Sequence, residues 1–168
     1  EDAQITADSM IEANLRGVDS HGISRLKVYL QKLKSGAIAR EVQVKVLRDN
    51  NSVSLLSGNN GLGQVVGRRA MNIAIAKAKT YGVGLVGVQN TNHIGMASYY
   101  VLQALEHNMI GVVLTNGSPN MPPWGGMRAL LGTNPIAVGI PSGKEPPYIM
   151  DIATSKVARG KVILAAKE

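Results

Sequence analysis

Three histidines carry most of the proton chemistry this chain can do near neutrality, because it has no Cys and imidazole titrates there without perturbation. His21 is the most pointed of them. It stands in Asp19-Ser20-His21-Gly22, between a carboxylate, a hydroxyl and a turn residue, and Arg25 follows four positions on. If His21 opens a helix, Arg25 falls on the same face one turn later, so a proton donor and a carboxylate clamp converge. The same residues also read as a plain helix start, with Asp19 or Ser20 capping and His21 in solvent.

Thr91-Asn92-His93-Ile94-Gly95 joins an apolar strand to a helix, a turn that places free N–H groups where a phosphate or carboxylate can sit. The other reading is that Asn92 caps the helix and His93 is merely exposed. His107 follows Glu106 at a helix C-terminus, where a cation complements the dipole, and reads as structural. Gly132-Thr133-Asn134-Pro135 precedes a strand and offers hydroxyl, amide and backbone donors to a bound acid, while Asp151 follows another strand and suits ribose hydroxyls. The plainer readings, a turn before a strand for the first and a carboxylate at a helix N-terminus for the second, are the favoured ones on these residues alone.

The missing residue types and patterns remove other chemistries. Without Cys there is no disulfide framework, thiolate nucleophile or Cys-based metal site. Histidines at 21, 93 and 107 lack metal-ligand spacing, so no metal is expected. No Gly-x-Ser-x-Gly elbow or phosphate-binding Gly-x-x-x-x-Gly-Lys loop occurs. The run from Gly61 to Gly67 imitates a dinucleotide fingerprint, but its third Gly comes one residue late. No acidic residue follows at Lys79 to Val83, so it fails as a Rossmann signal and reads as a turn for close backbone packing.

Lys and Arg outnumber Asp and Glu by 18 to 11, which favours anionic partners. The cations are scattered and there are only six aromatics, so nucleic acid is not the expected partner. No apolar run is long enough to span a bilayer, and the N-terminus lacks a signal-peptide layout. A soluble, cytoplasmic protein without membrane contact is expected.

These residues need a scaffold, and 168 residues with 45% hydrophobic content, 19 Gly and no Phe describe an α/β chain whose core is Val, Ile, Leu, Ala and Met. Ile5, Met10, Ile11 and Leu15 predict a helix ending at Gly17, and Leu26, Tyr29, Leu30 and Leu33 a second ending at Gly36. Residues 1–42 are therefore expected as a helical hairpin segment, packed on a mixed α/β unit over 43–168. Val42 to Val46 and Val53 to Leu56 predict a strand hairpin, and 64–80 a helix stopped by Gly82. Gly84–Val88, a helix over 96–107 and Ile110–Leu114 predict a βαβ unit with a parallel strand pair. A Pro/Gly-rich loop spans 115–135. Strands follow near Ile136–Ile140 and Tyr148–Met150, then a helix from about Thr154 that runs out uncapped. The uncapped helix and the small strand count predict a chain incomplete at both ends.

Taken together, Gly17 to Gly22 with Arg25 and Tyr29, Asn59 to Gln64, Asn92 to Gly95, Gly132 to Pro135, and Met150 to Ser155 resemble the second malate/L-lactate dehydrogenase family in order and spacing. That family includes sulfolactate and ureidoglycolate dehydrogenases and diketogulonate reductases. The resemblance implies a dehydrogenase fold that is not the Rossmann fold, NAD or NADP as cofactor, a small 2-oxo or 2-hydroxy acid as substrate, and a homodimer. Carried over residue by residue, it implies that His21 is the acid/base, Ser20 its hydrogen-bonded neighbour, and Arg25 and Thr133 substrate contacts. It also implies that His93, Ile94, Gly95, Met96 and Ala97 line the cofactor, with His93 as acid/base in some members, and that Asp151, Ile152 and Ala153 form a cofactor-binding strand end. The competing expectations are a basic nucleic-acid-binding module and a catalytically silent dimerisation scaffold.

Overall fold

The first helix of the chain, α1 (Asp2–Leu15), turns Ile5, Met10 and Ala13 inward and stops where Gly17 takes a left-handed φ of 70°. Two short 3-10 turns, Asp19–His21 and Ile23–Arg25, lead straight into α2 (Leu26–Lys34). Both helices lie where periodicity puts them, but α1 packs on later helices rather than on α2. The computed structural model describes residues 1–155, and the helix expected from about Thr154 lies outside the described residues.

β1 (Lys45–Asp49) and β2 (Val53–Gly61) form the expected antiparallel hairpin around Asn50 and Asn51, but the first strand lies three residues later than the expected Val42–Val46, and Val42 packs in the core ahead of it. β2 runs on through Gly58, Asn59, Asn60 and Gly61, well past the expected end at Leu56, with Asn59 and Asn60 at positive φ. It feeds α3 (Gly63–Tyr81), which ends on left-handed Gly82 and returns the chain to β3 (Leu85–Thr91), parallel to β2. The right partner for a βαβ reading is therefore β2-α3-β3.

The expected parallel pairing across the next helix does not occur. After α4 (Ser98–Leu105), β4 (Gly111–Leu114) joins a separate antiparallel sheet with β5 (Ile136–Ile140) and β6 (Tyr148–Ile152). β4 is covered on one face only: Gly111 is buried, whereas Val112 and Leu114 are exposed, the alternation of a one-sided antiparallel strand. In sequence Gly-Val-Val-Leu is uniformly apolar, which hides that alternation.

Three apolar clusters hold the elements together. Ile5, Ile38 and Val42 pack with Leu62, Val65 and Val66, anchoring the N-terminal segment to α3. Burying side chains such as Val65 and Val66 completely stabilises by about 1.5–3 kcal/mol each before entropy is counted. Ala13, Met96, Tyr99 and Tyr100 make the second cluster, and Ala97, Val101 and Ala137 the third, so α4 ties α1 to the second sheet. α4 sits close because Gly111 and Gly139 face it; a Cβ on either would lie 3.1 Å from Val101.

The opposite face of that sheet carries Val112, Val138 and Met150 in one row, Leu114, Ile136 and Ile152 in the next, and Ile140 beside Tyr148. Every residue on it is apolar. The long loop between β4 and β5 projects Trp124, fully exposed, and Met127 into solvent.

Candidate functional site

His21 is held by the end of α1. The Asn14 amide donates to the Asp19 carboxylate, while its Oδ1 accepts the Ile23 N–H at 2.8 Å. Gly22 packs so tightly on Asn14 that a Cβ would fall 2.2 Å from the Asn14 oxygen. His21 thus sits at the close of a 3-10 turn, not at the start of a helix. Ser20 is buried and its hydroxyl lies 2.9 Å from His21 Nδ1. Arg25 donates its Nε to the Ser20 carbonyl at 2.7 Å, which leaves its Nη groups without a hydrogen-bond partner among the described residues.

His93 comes from the loop between β3 and α4 and stacks on His21, with ring centroids 5.4 Å apart and planes 20° from parallel. Two contacts place it. Gly63 has no Cβ, and one would fall 2.3 Å from the carbonyl oxygens of Asn92 and His93, so α3 abuts the loop backbone directly. Asn92 donates Nδ2 to the Asn60 carbonyl, the Asn60 side chain and the Gly61 carbonyl, each at 3.0 Å. Asn92 therefore caps no helix: α4 begins six residues later, and Asn92 ties the loop to the end of β2. The glycine-rich run that failed as a dinucleotide fingerprint acts through this close packing.

Tyr29, on α2 and buried, places its hydroxyl 2.8 Å from His93 Nδ1, 64 residues away in sequence. Burial pushes its pKa up to about 12 despite Arg25 and Gln64 nearby, so it stays a neutral phenol. Burial likewise lowers His21, helped by Arg25 and opposed by Asp151. His93 is lowered to about 4 by burial, then by His21, Arg25 and Lys32. Its side chain is crowded by protein on most sides yet keeps an open, solvent-facing edge, and that edge screens part of the effect.

The remaining expected residues divide. Asp151, at the end of β6, is close enough to raise His21, but its Oδ2 accepts the Ser98 N–H at 2.6 Å and so fills the N-terminus of α4. The next two N–H groups of α4 bond to the Met96 and Ala97 carbonyls. The free anion seat expected at this strand-to-helix turn is thus taken by the protein's own carboxylate. Ile94 accepts the Tyr100 hydroxyl on its carbonyl, Gly95 takes a left-handed φ of 75°, and Met96 and Ala97 turn their side chains into the core. Ile152 is exposed and Ala153 half-buried at the strand end. Thr133 uses its carbonyl to hold the Thr154 N–H and hydroxyl, each at 2.9 Å, and no hydrogen bond links it to either imidazole.

Sequence reasoning gave no role to Tyr29, placed on the apolar face of a helix, or to Gln64, placed at the start of one. Two stacked neutral imidazoles beside a cationic fork can bind a carboxylate and exchange one proton with an adjacent oxygen.

A family model described as malate/L-lactate dehydrogenase matches residues 1–168. The malate dehydrogenase of Pyrococcus abyssi is 49% identical over 162 residues, 96% of this chain and 44% of that protein. The L-sulfolactate dehydrogenase of Methanocaldococcus jannaschii is 44% identical over 168 residues, all of this chain and 48% of the other. Among solved structures, malate dehydrogenase from Pyrococcus horikoshii OT3 superposes with a TM-score of 0.93 at 48% identity, covering 96% of this chain and 46% of that one. Two more distant relatives carry a cofactor in their names. A (2R)-3-sulfolactate dehydrogenase (NADP(+)) of Chromohalobacter salexigens is 36% identical over 99% of this chain and 50% of its own. A ureidoglycolate dehydrogenase (NAD(+)) of Escherichia coli O157:H7 is 32% identical over 97% and 47%. The chain spans about half the length of the curated relatives it matches.

Proposed function

The chain belongs to the malate/L-lactate dehydrogenase family, and from that membership we propose that it serves hydride transfer between NAD or NADP and a small 2-hydroxy or 2-oxo acid of the malate, lactate or sulfolactate kind. The observation that carries this is the His21–His93 stack, with Arg25 near enough to act on both rings and its Nη groups unpaired among the described residues. In the loop after β3 Gly95 has no side chain and Met96 and Ala97 turn theirs into the core; the N–H groups of Ile94, Met96 and Ala97 and the Gly95 carbonyl enter no hydrogen bond among the described residues, so backbone is what the loop has left for a nicotinamide. Ile94, Gly95, Met96 and Ala97 would hold the cofactor through that backbone, with Ile152 and Ala153 at the end of β6.

When bound, the reduced nicotinamide supplies the hydride that reaches the carbonyl carbon. His21 gives its proton to the carbonyl oxygen, and in the oxidative direction neutral His21 takes the hydroxyl proton. Arg25 grips the carboxylate with its fork and so sets the carbonyl beside His21, the positioning on which most of the rate depends. The pairing also loads the acid. Arg25 is the second cause of the lowered His21 pKa, and a bound carboxylate cancels it, so substrate binding draws a proton onto His21. A homodimeric, cytoplasmic enzyme belongs to the same proposal, as does a substrate contact at Thr133. The relatives named above are dehydrogenases and lend nothing to a nucleic-acid-binding role.

The test is oxidation of malate, L-lactate and sulfolactate with NAD or NADP, followed at the nicotinamide absorbance. His21→Asn should lower turnover about 10²-fold or more with cofactor affinity nearly unchanged. Arg25→Lys should raise KM for the acid, because Lys keeps the charge and loses the fork. Full turnover in the His21 variant would remove it from the chemistry.

A further inference from the structure

The hydrogen bonds around His93 decide which ring nitrogen carries its proton. A backbone N–H can only donate, so the bond from Gly95 N to His93 Nδ1 at 3.3 Å makes Nδ1 an acceptor. The Tyr29 hydroxyl, 2.8 Å from the same nitrogen, must then donate as well. With Nδ1 unprotonated, the neutral ring bears its hydrogen on Nε2. No protein group among the described residues takes that hydrogen.

Tyr29 spends its one O–H on His93 and keeps lone pairs on a buried oxygen. Beside it lies Gln64, the second residue of α3, fully buried and with neither Nε2 nor Oε1 in a hydrogen bond. Cores seldom retain a whole carboxamide in that state without a use for it. Its surroundings indicate the use. Gln64 Nε2 would lie 3.7 Å from a Cβ on Gly95, and the Gln64 side chain acts against burial to draw the Tyr29 pKa down, although neither of its polar atoms makes a hydrogen bond. Gln64 thus borders both groups that donate to His93.

We propose that Gln64 is a positioning residue for His93: its amide supports the Tyr29 oxygen, Tyr29 donates to His93 Nδ1, and His93 is held as the tautomer that presents Nε2–H. The two histidines then divide the work. His21 exchanges the proton, while His93 stays neutral and donates a hydrogen bond. That the acceptor is an oxygen of a bound 2-oxo acid rests on the dehydrogenase reading above; the tautomer and its supports do not.

The experiment is nitrogen NMR at neutral pH on the full chain carrying ¹⁵N-histidine. The chain has only three histidines, and loss of one set of signals in His93→Gln assigns them. In the parent protein His93 should show an unprotonated Nδ1 and a protonated Nε2. Gln64→Met, close in size and without the amide, should lower the ratio of the Nε2–H to the Nδ1–H form about fivefold or more, and Tyr29→Phe at least as far. A residue that only fills space would leave the ratio unmoved.

A second measurement needs no variant: in the parent protein the Gln64 side-chain amide protons should exchange slowly and show proximity to the Tyr29 hydroxyl proton. An Nδ1–H ring in the parent protein, an unchanged ratio in a folded Gln64→Met, or fast-exchanging Gln64 amide protons would overturn the proposal. No ligand is added, so a protein that oxidises no 2-hydroxy acid leaves this test standing, and a failed tautomer test leaves measured turnover standing.

Discussion

The stacked imidazoles make the site a pH-dependent source of stability. His93 is held down to about 4 against an ordinary 6.5, by burial first and then by His21, Arg25 and Lys32. Between those values the unfolded chain binds a proton that the folded chain refuses, so stability is full above about 6.5 and falls as the pH drops toward 4. The open edge of the ring makes the slope shallower than a whole proton. Urea midpoints taken from pH 7 to 4.5 should fall more steeply in the parent protein than in His93→Gln. Parallel slopes would assign the acid sensitivity to other groups. His21, Arg25 and His93 could be picked out in the sequence because histidine is rare here and each stands among polar, turn-forming neighbours. Tyr29 and Gln64 were not legible as partners. Tyr29 completes an i, i+3, i+4, i+7 apolar face and so looks like core, and Gln64 looks like the first turn of a helix. Only the fold brings their side chains to a loop some 30 to 60 residues further on.

At the scale of elements, the approach of α3 to the loop after β3 is set by one missing side chain. Gly63→Ala ought to help a helix by about 1 kcal/mol on propensity alone. Its Cβ would, however, meet the Asn92 and His93 backbone at 2.3 Å, and backbone atoms cannot swing aside. The clash wins: the variant should lose about 1–3 kcal/mol in denaturant unfolding and weaken the Tyr29–His93 bond. A variant as stable as the parent, with unchanged His93 NMR signals, would show that the loop yields freely. The helices and most strands were readable from periodicity, since α1, α2 and α3 each end at a glycine in or next to a left-handed turn. The pairing of strands was not. Two strand-helix-strand units follow one another with similar apolar strands, and nothing local says that the first closes a parallel pair while the second opens another sheet. That choice depends on which sheet face each helix covers.

Over the whole molecule, the second sheet shows α4 on one side and eight apolar side chains on the other. Nothing among the described residues covers that side, and Val112, Leu114 and Tyr148 are each at least half exposed. A contiguous patch of this kind favours association in water. The 168-residue chain should sediment as larger species with rising concentration and bind a hydrophobic dye, and Val112→Lys with Leu114→Lys should reduce both. A concentration-independent monomer that binds no dye would mean that the face is covered. The sequence hinted at this surface through its short strand count. The register that gathers Val112, Val138 and Met150 into one row depends on pairing across a 21-residue loop, which no short-range pattern reveals.

That loop has an optical consequence. Trp124, the one tryptophan in the chain, stands at 105% relative exposure on its outer surface, so its indole is wet before unfolding as well as after. Emission from it will scarcely change while α3 and the first sheet melt, and a thermal scan followed at that wavelength would pass over the main transition. The same emission will shift when anything settles on the loop. Tyr29 and Tyr100, at 4% and 2% exposure, change surroundings when the core opens, and their signal is the one to follow for unfolding.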